Sequence, residues 1–136
     1  MHPLKDYESV VGPQVIEELY LIADRLKGFK IQNINSTAVG GGVAEILSRL
    51  IPMLNELGIQ AAWNVIKGGE RFYTVTKKFH NALHGKPVEI SPDDFSVFNE
   101  TSEMNNQTLD LHGDIIFVHD PQPIALIHQK ELKSAK

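Results

Sequence analysis

A chain of 136 residues with 42% hydrophobic residues, 13 Lys+Arg, 17 Asp+Glu and no cysteine has the make-up of one ordinary globular domain. Its formal charge of −4, to which six His add positive charge only on acidification, excludes a general attraction to phosphate backbones or anionic lipid, so neither nucleic acid nor a membrane is an expected partner. Lack of Cys removes disulfides, thiolate nucleophiles, Fe–S clusters and Cys-ligated zinc together, leaving oxygen, nitrogen and backbone groups for any chemistry.

The opening MHPLKDYESVVG has no basic stretch followed by an apolar run of about 7–15 residues, and nowhere do about 18 apolar residues run together. No secretory signal or membrane span is therefore expected, and the expected location is cytoplasmic. The N-x-[ST] triplets at Asn35, Asn99 and Asn106 then read as loop and helix-end residues rather than glycosylation sites. Pro13 opens a helix over 13–27, with Val15, Ile16, Leu19, Ile22, Ala23 and Leu26 at three- and four-residue spacing until Gly28 stops it. An N-terminal helical segment over 1–28 is thus set apart from a body over 29–136.

The body begins with a strand near 30–35, carrying Phe29, Ile31 and, after a break, Ile34, and leading into the glycine loop STAVGGG. From Val43 the string VAEILSRLIPMLNELG puts Val43, Ile46, Leu47, Leu50, Ile51, Leu54 and Leu57 on one helical face, with Pro52 a candidate kink and Gly58 the stop. A second strand follows over 60–66, containing Trp63 as a core residue and bounded by Lys67-Gly68-Gly69. Strand, helix and strand in this order make a right-handed crossover with parallel strands, so the class is α/β, a Rossmann-like parallel sheet flanked by helices. A helix over 72–83 with Gly85 after it, a helix opened by a capping box at Ser91-Pro92-Asp93-Asp94, and a strand over 114–119 complete the pattern. The last strand runs into the turn Asp120-Pro121-Gln122-Pro123 and the start of an apolar helix. Residues 88–129 hold eight acids and no Lys or Arg before the basic tail KELKSAK, which reads as a solvated acidic helix face. Three strands are fewer than a closed doubly wound domain has, so the chain is expected to be the first half of a larger lobe.

Two strand-to-helix junctions carry chemistry. At Gly40, Gly41, Gly42 and Val43 the absence of Cβ atoms and the positive end of a helix suit close approach of an anion or sugar; a mere tight turn is the alternative. The spacing is not G-x-G-x-x-G, no acid ends the second strand and no Walker lysine follows, which disfavours a dinucleotide site and hence a nicotinamide-dependent oxidoreductase. His119 and Asp120 end the last strand at the carboxyl edge where open α/β sheets take ligands, and there an imidazole and a carboxylate suit sugar hydroxyls; the alternative is that Asp120 caps the following helix. His80 and His84 stand at metal-ligand spacing, but without an H-E-x-x-H pattern or an evident third ligand no metal is assigned to them. Arg71, Lys77 and Lys78 form a basic patch, either solvated or in contact with phosphate.

STAVGGGVAEIL, VTKKFHNALHG and HDPQP, in this order, closely resemble the N-terminal part of the trehalose synthases of the glycosyltransferring type, within the retaining glycosyltransferase family four that includes glycogen and sucrose-phosphate synthases. The resemblance runs from about Tyr7 to His128. It implies a partial N-terminal lobe of a GT-B enzyme that transfers glucose from UDP-glucose or ADP-glucose to glucose, giving trehalose with retention and without a metal. It also implies that Gly40, Gly41 and Gly42 approach the donor phosphates and sugar, and that Asp120, with His119 beside it, holds acceptor hydroxyls. The family's C-terminal lobe, with its basic pair and donor-binding glutamates, is absent from the chain, and a histidine of the family's N-terminal lobe that touches the donor sugar falls beyond Lys136. The chain alone is therefore expected to be inactive and to associate, as a homo-oligomer or otherwise, through faces left exposed. A noncatalytic sugar- or anion-binding module, or one half of a split enzyme with a partner chain, is the competing expectation.

Overall fold

The computed structural model describes residues 4–128. In chain order it holds α1 (Glu8–Val11), α2 (Pro13–Asp24), β1 (Lys30–Asn35), α3 (Gly42–Glu56), β2 (Gln60–Val65), α4 (Glu70–Leu83), α5 (Pro92–Thr108) and β3 (Ile115–Val118), with 3-10 turns at Leu4–Tyr7 and Ile124–Leu126. The strands form one sheet in the order β2-β1-β3. Gln60 N donates to Phe29 O at 3.2 Å and Ile66 N to Asn35 O at 3.0 Å, the same offset at both ends, as parallel pairing requires. The α/β class and the parallel sheet flanked by helices are as the sequence implies. No helix among the described residues is long and apolar enough to cross a membrane.

The chain divides into two compact units. The first comprises residues 4–33, 39–63 and 112–117. Its core is Ala23, Ile31 and Ile59, against which Leu26, Leu54, Leu57 and Ile115 pack. The hydrophobic face of α3 runs unbroken through Pro52, burying Ala44 and Leu47. Gly58, at φ +84°, ends α3 by donating to Asn55 O at 3.1 Å while Ile59 N donates to Leu54 O at 3.0 Å, the closure for which a left-handed glycine is suited. Asn55 then ties the helix end to β2: its Nδ2 donates to Ala61 O and its Oδ1 accepts from Ala61 N, both at 3.0 Å. Trp63, expected in the core, is only half-buried, because β2 is an edge strand.

The central strand buries three amide side chains, Gln32, Asn33 and Asn35, where an apolar alternation would be expected. Two of these have main-chain partners, one distant in sequence and one close by. Gln32 Oε1 accepts from His112 N at 3.2 Å and Gly113 N at 3.4 Å, and Asn35 Nδ2 donates to Thr37 O at 2.7 Å. Gly113 is needed there, since a Cβ would lie 2.9 Å from Ile115 O and 3.0 Å from Gln32 Cβ. Asp114, expected to begin the last strand, precedes it and accepts instead from Lys30 N at 2.8 Å.

The second unit comprises residues 34–38, 64–111 and 118–128. Its helices α4 and α5 meet through aromatic rings: Phe72 stacks on Phe98 at 6.0 Å between centroids, and Phe79 touches Phe95 at 5.4 Å and Phe98 at 5.3 Å. The capping box forms as the sequence implies, with Ser91 Oγ accepting from Asp94 N at 3.2 Å and Asp94 Oδ2 accepting from Ser91 N at 2.9 Å. Lys78 Nζ lies 2.9 Å from both Asp94 oxygens. The Ser91 backbone N–H, and after it the Lys78 ammonium, hold the Asp94 carboxyl down from its ordinary 3.8 to about 2. A carboxyl depressed by folding contributes stability that is full above its ordinary value and is lost as pH falls towards the folded one. The melting-temperature gap between wild type and Asp94→Asn should accordingly be constant near neutrality and close between about pH 4 and pH 2; a gap that does not depend on pH would mean that the carboxylate charge is not what holds α5. The helix expected after the proline-rich turn starts as the 3-10 turn Ile124–Leu126 and goes on as helix at residues 127–128, where the described residues end. The KELKSAK tail lies outside the described residues.

Candidate functional site

The loop after β1 is shaped by left-handed backbone. Gly40 has φ +74° and Gly41 φ +84°, conformations that a Cβ would strain, and Gly42 is the first residue of α3. No side chain caps the helix. Its first bond runs from Glu45 N to Gly41 O at 3.2 Å, so the amides of Gly42, Val43 and Ala44 have no intrahelical acceptor. A Cβ built on Gly40, Gly41 or Gly42 meets no heavy atom within 4 Å. Left-handed torsion accounts for two of these glycines, and neither torsion nor crowding by the chain accounts for Gly42. A hollow of about 930 Å³ begins at Gly42 and follows the outer face of α3 past Glu45, Arg49 and Met53. Arg49, a fully charged donor exposed in that hollow, escapes a sequence reading because it lies two helical turns after the glycines among residues read only for their apolar spacing.

The loop after β3 carries the other candidates. His119 N donates to Ile34 O at 2.9 Å, so His119 is still held on the sheet ladder, with its side chain half-buried. Asp120, the next residue, is exposed and has φ 68°, the one non-glycine residue with positive φ in the described chain. Asp tolerates this region better than most residues, yet strain of about 1–3 kcal/mol is typical of such positions, and they cluster where a side chain must be aimed. Asp120 caps no helix: the 3-10 turn starts at Ile124, behind Pro123, with no side-chain cap. The capping alternative is therefore removed. Each of the two loops leaves the carboxyl end of a parallel strand, the end at which open α/β sheets take ligands.

Contacts distant in sequence hold the surroundings in place. Tyr73 Oη donates to Ser36 O at 3.0 Å, and Asn105 clamps the loop after β2, accepting from Lys67 N at 2.8 Å and donating to Lys67 O at 2.7 Å. Gly68 in that loop packs so closely that a Cβ would lie 2.5 Å from Phe72 Cδ1. The basic patch on α4 is largely neutralised, with Arg71 paired to Asp93 and Lys78 to Asp94; Lys77 stays exposed. Ion pairing thus engages Arg71 and Lys78, and Lys77 faces solvent.

Residues 33–136 match the family model described as trehalose synthase, N-terminal domain. The chain is 42% identical over 133 residues to trehalose synthase of Pyrococcus horikoshii, covering 96% of this chain and 32% of that protein. It is 42% identical over 129 residues to trehalose synthase of Rubrobacter xylanophilus, covering 93% and 31%. With trehalose phosphorylase of Pleurotus pulmonarius it shares 29% identity over 137 aligned positions, covering 91% of this chain and 18% of that protein. The chain thus spans about a third of the length of the trehalose synthases it matches. A family model that takes in both loops and most of the sheet, and relatives that match almost the whole of this chain, make the conclusion direct: the chain belongs to the family of trehalose synthase N-terminal domains.

Proposed function

We propose that this chain is the acceptor-side portion of a retaining glucosyltransferase that forms trehalose from a nucleotide-linked glucose, UDP-glucose or ADP-glucose, and free glucose. The observation that carries the reading is the open start of α3, where Gly42 is required by neither torsion nor packing and three amides have no intrahelical acceptor. In the reaction the bond between glucose C1 and the diphosphate breaks, its electron pair leaves with the diphosphate, and a hydroxyl oxygen of the acceptor glucose forms the new bond to C1 while its proton passes to an oxygen of the departing diphosphate. Negative charge therefore grows on diphosphate oxygens, where the amides of Gly42 and Val43 donate hydrogen bonds and the helix end adds partial positive charge. The Asp120 carboxylate accepts hydrogen bonds from acceptor hydroxyls and orients the attacking oxygen, with His119 beside it as a further polar contact. The reaction is expected to need no metal. Support for trehalose as product comes from the relatives, which carry the names trehalose synthase and trehalose phosphorylase.

Glycine amides alone leave most of the diphosphate charge unneutralised, and these 136 residues span about a third of the length of the trehalose synthases they match. The 136-residue chain by itself is expected to form no trehalose from nucleotide-glucose and glucose. Exposed apolar side chains such as Leu21 and Ile22 on α2 and Ile46 on α3 support association of the chain with itself or with the rest of such an enzyme. Calorimetric titration of the chain with glucose, trehalose, UDP-glucose and ADP-glucose tests the reading, the expected result being saturable binding of glucose or trehalose without turnover. Trehalose formed by the chain alone at the rate of an ordinary enzyme, or no binding of any of the four, would overturn it. A sugar bound by the chain but never turned over in an assembled full-length protein would instead favour a noncatalytic binding module.

A further inference from the structure

The last turn of α4 and the C-cap residue after it supply two histidines that sugar transfer leaves unused. His80 and His84 are both exposed, lie one helical turn apart on the same face, and have ring centroids 4.2 Å apart. The backbone beneath them is fixed. Gly85, at φ +76°, closes the helix by donating to Ala82 O at 2.9 Å, and Lys86 N donates to Asn81 O at 3.0 Å. His84 Nδ1 lies 2.8 Å from the His80 carbonyl oxygen. A carbonyl only accepts, so Nδ1 carries the proton, which leaves Nε2 as the nitrogen that can offer a lone pair to an ion. Metal-binding histidines are commonly oriented in this way, one ring nitrogen donating to a carbonyl and the other facing the ion. The carboxyl end of the helix also carries partial negative charge, which favours a cation there.

We propose that His80 and His84 form a two-nitrogen chelate for a late first-row divalent ion, Zn²⁺ or Ni²⁺, at the end of α4. Among the described residues no group of three or more His, Cys, Asp or Glu gathers around one point, so water completes the coordination and the ion exchanges readily. Imidazole nitrogen selects these ions over Mg²⁺ and Ca²⁺, which take oxygen ligands. A bound ion joins two successive turns and holds the helix end closed. The site is independent of the transfer reading, which involves no metal.

The test is calorimetric titration of the whole chain with ZnCl₂ and NiCl₂ near pH 7.5 in a buffer that does not chelate, alongside His80→Gln, His84→Asn and, as a control on another exposed histidine, His128→Ala. The expected result is one saturable site per chain, weakened at least tenfold by either of the first two substitutions and unchanged by the third, with no heat from MgCl₂. In proton spectra, paramagnetic Ni²⁺ should broaden the ring signals of His80 and His84 before those of the other histidines. Circular dichroism establishes that the variants keep their helices, and either of the two variants alone suffices for the comparison. Equal binding by wild type and both variants, broadening of other histidines first, or no saturable binding below about 1 mM Zn²⁺ would overturn the proposal.

Discussion

In a full-length enzyme carrying this segment, Gly42→Ala is expected to lower kcat/KM by about 100-fold while leaving the melting temperature unchanged or slightly raised, because a displacement of about 1 Å at a charge-stabilising donor costs this much. Stability has no reason to fall. Gly42 opens α3 without a left-handed torsion, and a Cβ there meets no heavy atom of the chain within 4 Å. In a helix alanine is favoured over glycine by about 0.5–1 kcal/mol. The only thing a methyl group can obstruct is something that comes from outside. Gly41→Val would mix two effects, since at φ +84° a β-branched residue strains the backbone whether or not a ligand approaches. If purified Gly42→Ala enzyme kept near-native kcat/KM, the loop would be no more than a turn into α3.

The parts of this architecture that are legible in the sequence are those fixed within a few residues. Gly58 and Gly85 mark helix ends because a left-handed residue closes the last turn, and both do so with the expected torsion. Ser91 and Asp94 announce α5 because the capping box needs only their own side chains and backbone. Features that depend on residues far apart are not legible. Asp114 caps the start of a strand 84 residues earlier, and Gln32 is tolerated in the core because main-chain donors 80 and 81 residues away reach it. The patch of Arg71 and Lys78 reads as free positive charge until the first turn of α5 brings Asp93 and Asp94 against it. The strand order β2-β1-β3 puts Trp63 on an edge, so an aromatic residue that composition assigns to the core is half-exposed. At the candidate site, spacing is enough to single out the glycines and the His119-Asp120 pair. The torsion of Asp120 has no such signal, because Asp adopts left-handed and ordinary backbone alike and only the turn around it decides.

That torsion decides how Asp120 is best tested. Asp120→Asn is expected to lower kcat/KM of the full-length enzyme by about 10- to 150-fold, through a higher acceptor KM or a lower kcat, which corresponds to about 1.5–3 kcal/mol for a hydrogen bond to a charged group. Asparagine fills the same space and tolerates left-handed backbone as aspartate does, so the melting temperature should stay where it is. Asp120→Ala is the poorer probe, since at φ 68° alanine adds a backbone cost of about 1–2 kcal/mol to whatever the carboxylate contributes. Asp120→Gly separates the two in the other direction: glycine adopts the torsion without strain, so this variant should melt at or above wild type while losing activity as the asparagine variant does. Opposite signs for stability and turnover in one substitution are what a residue strained for ligand binding produces. A residue that serves only the turn would lose stability in the alanine variant and leave the kinetics of all three near wild type, and that pattern would remove Asp120 from the acceptor site.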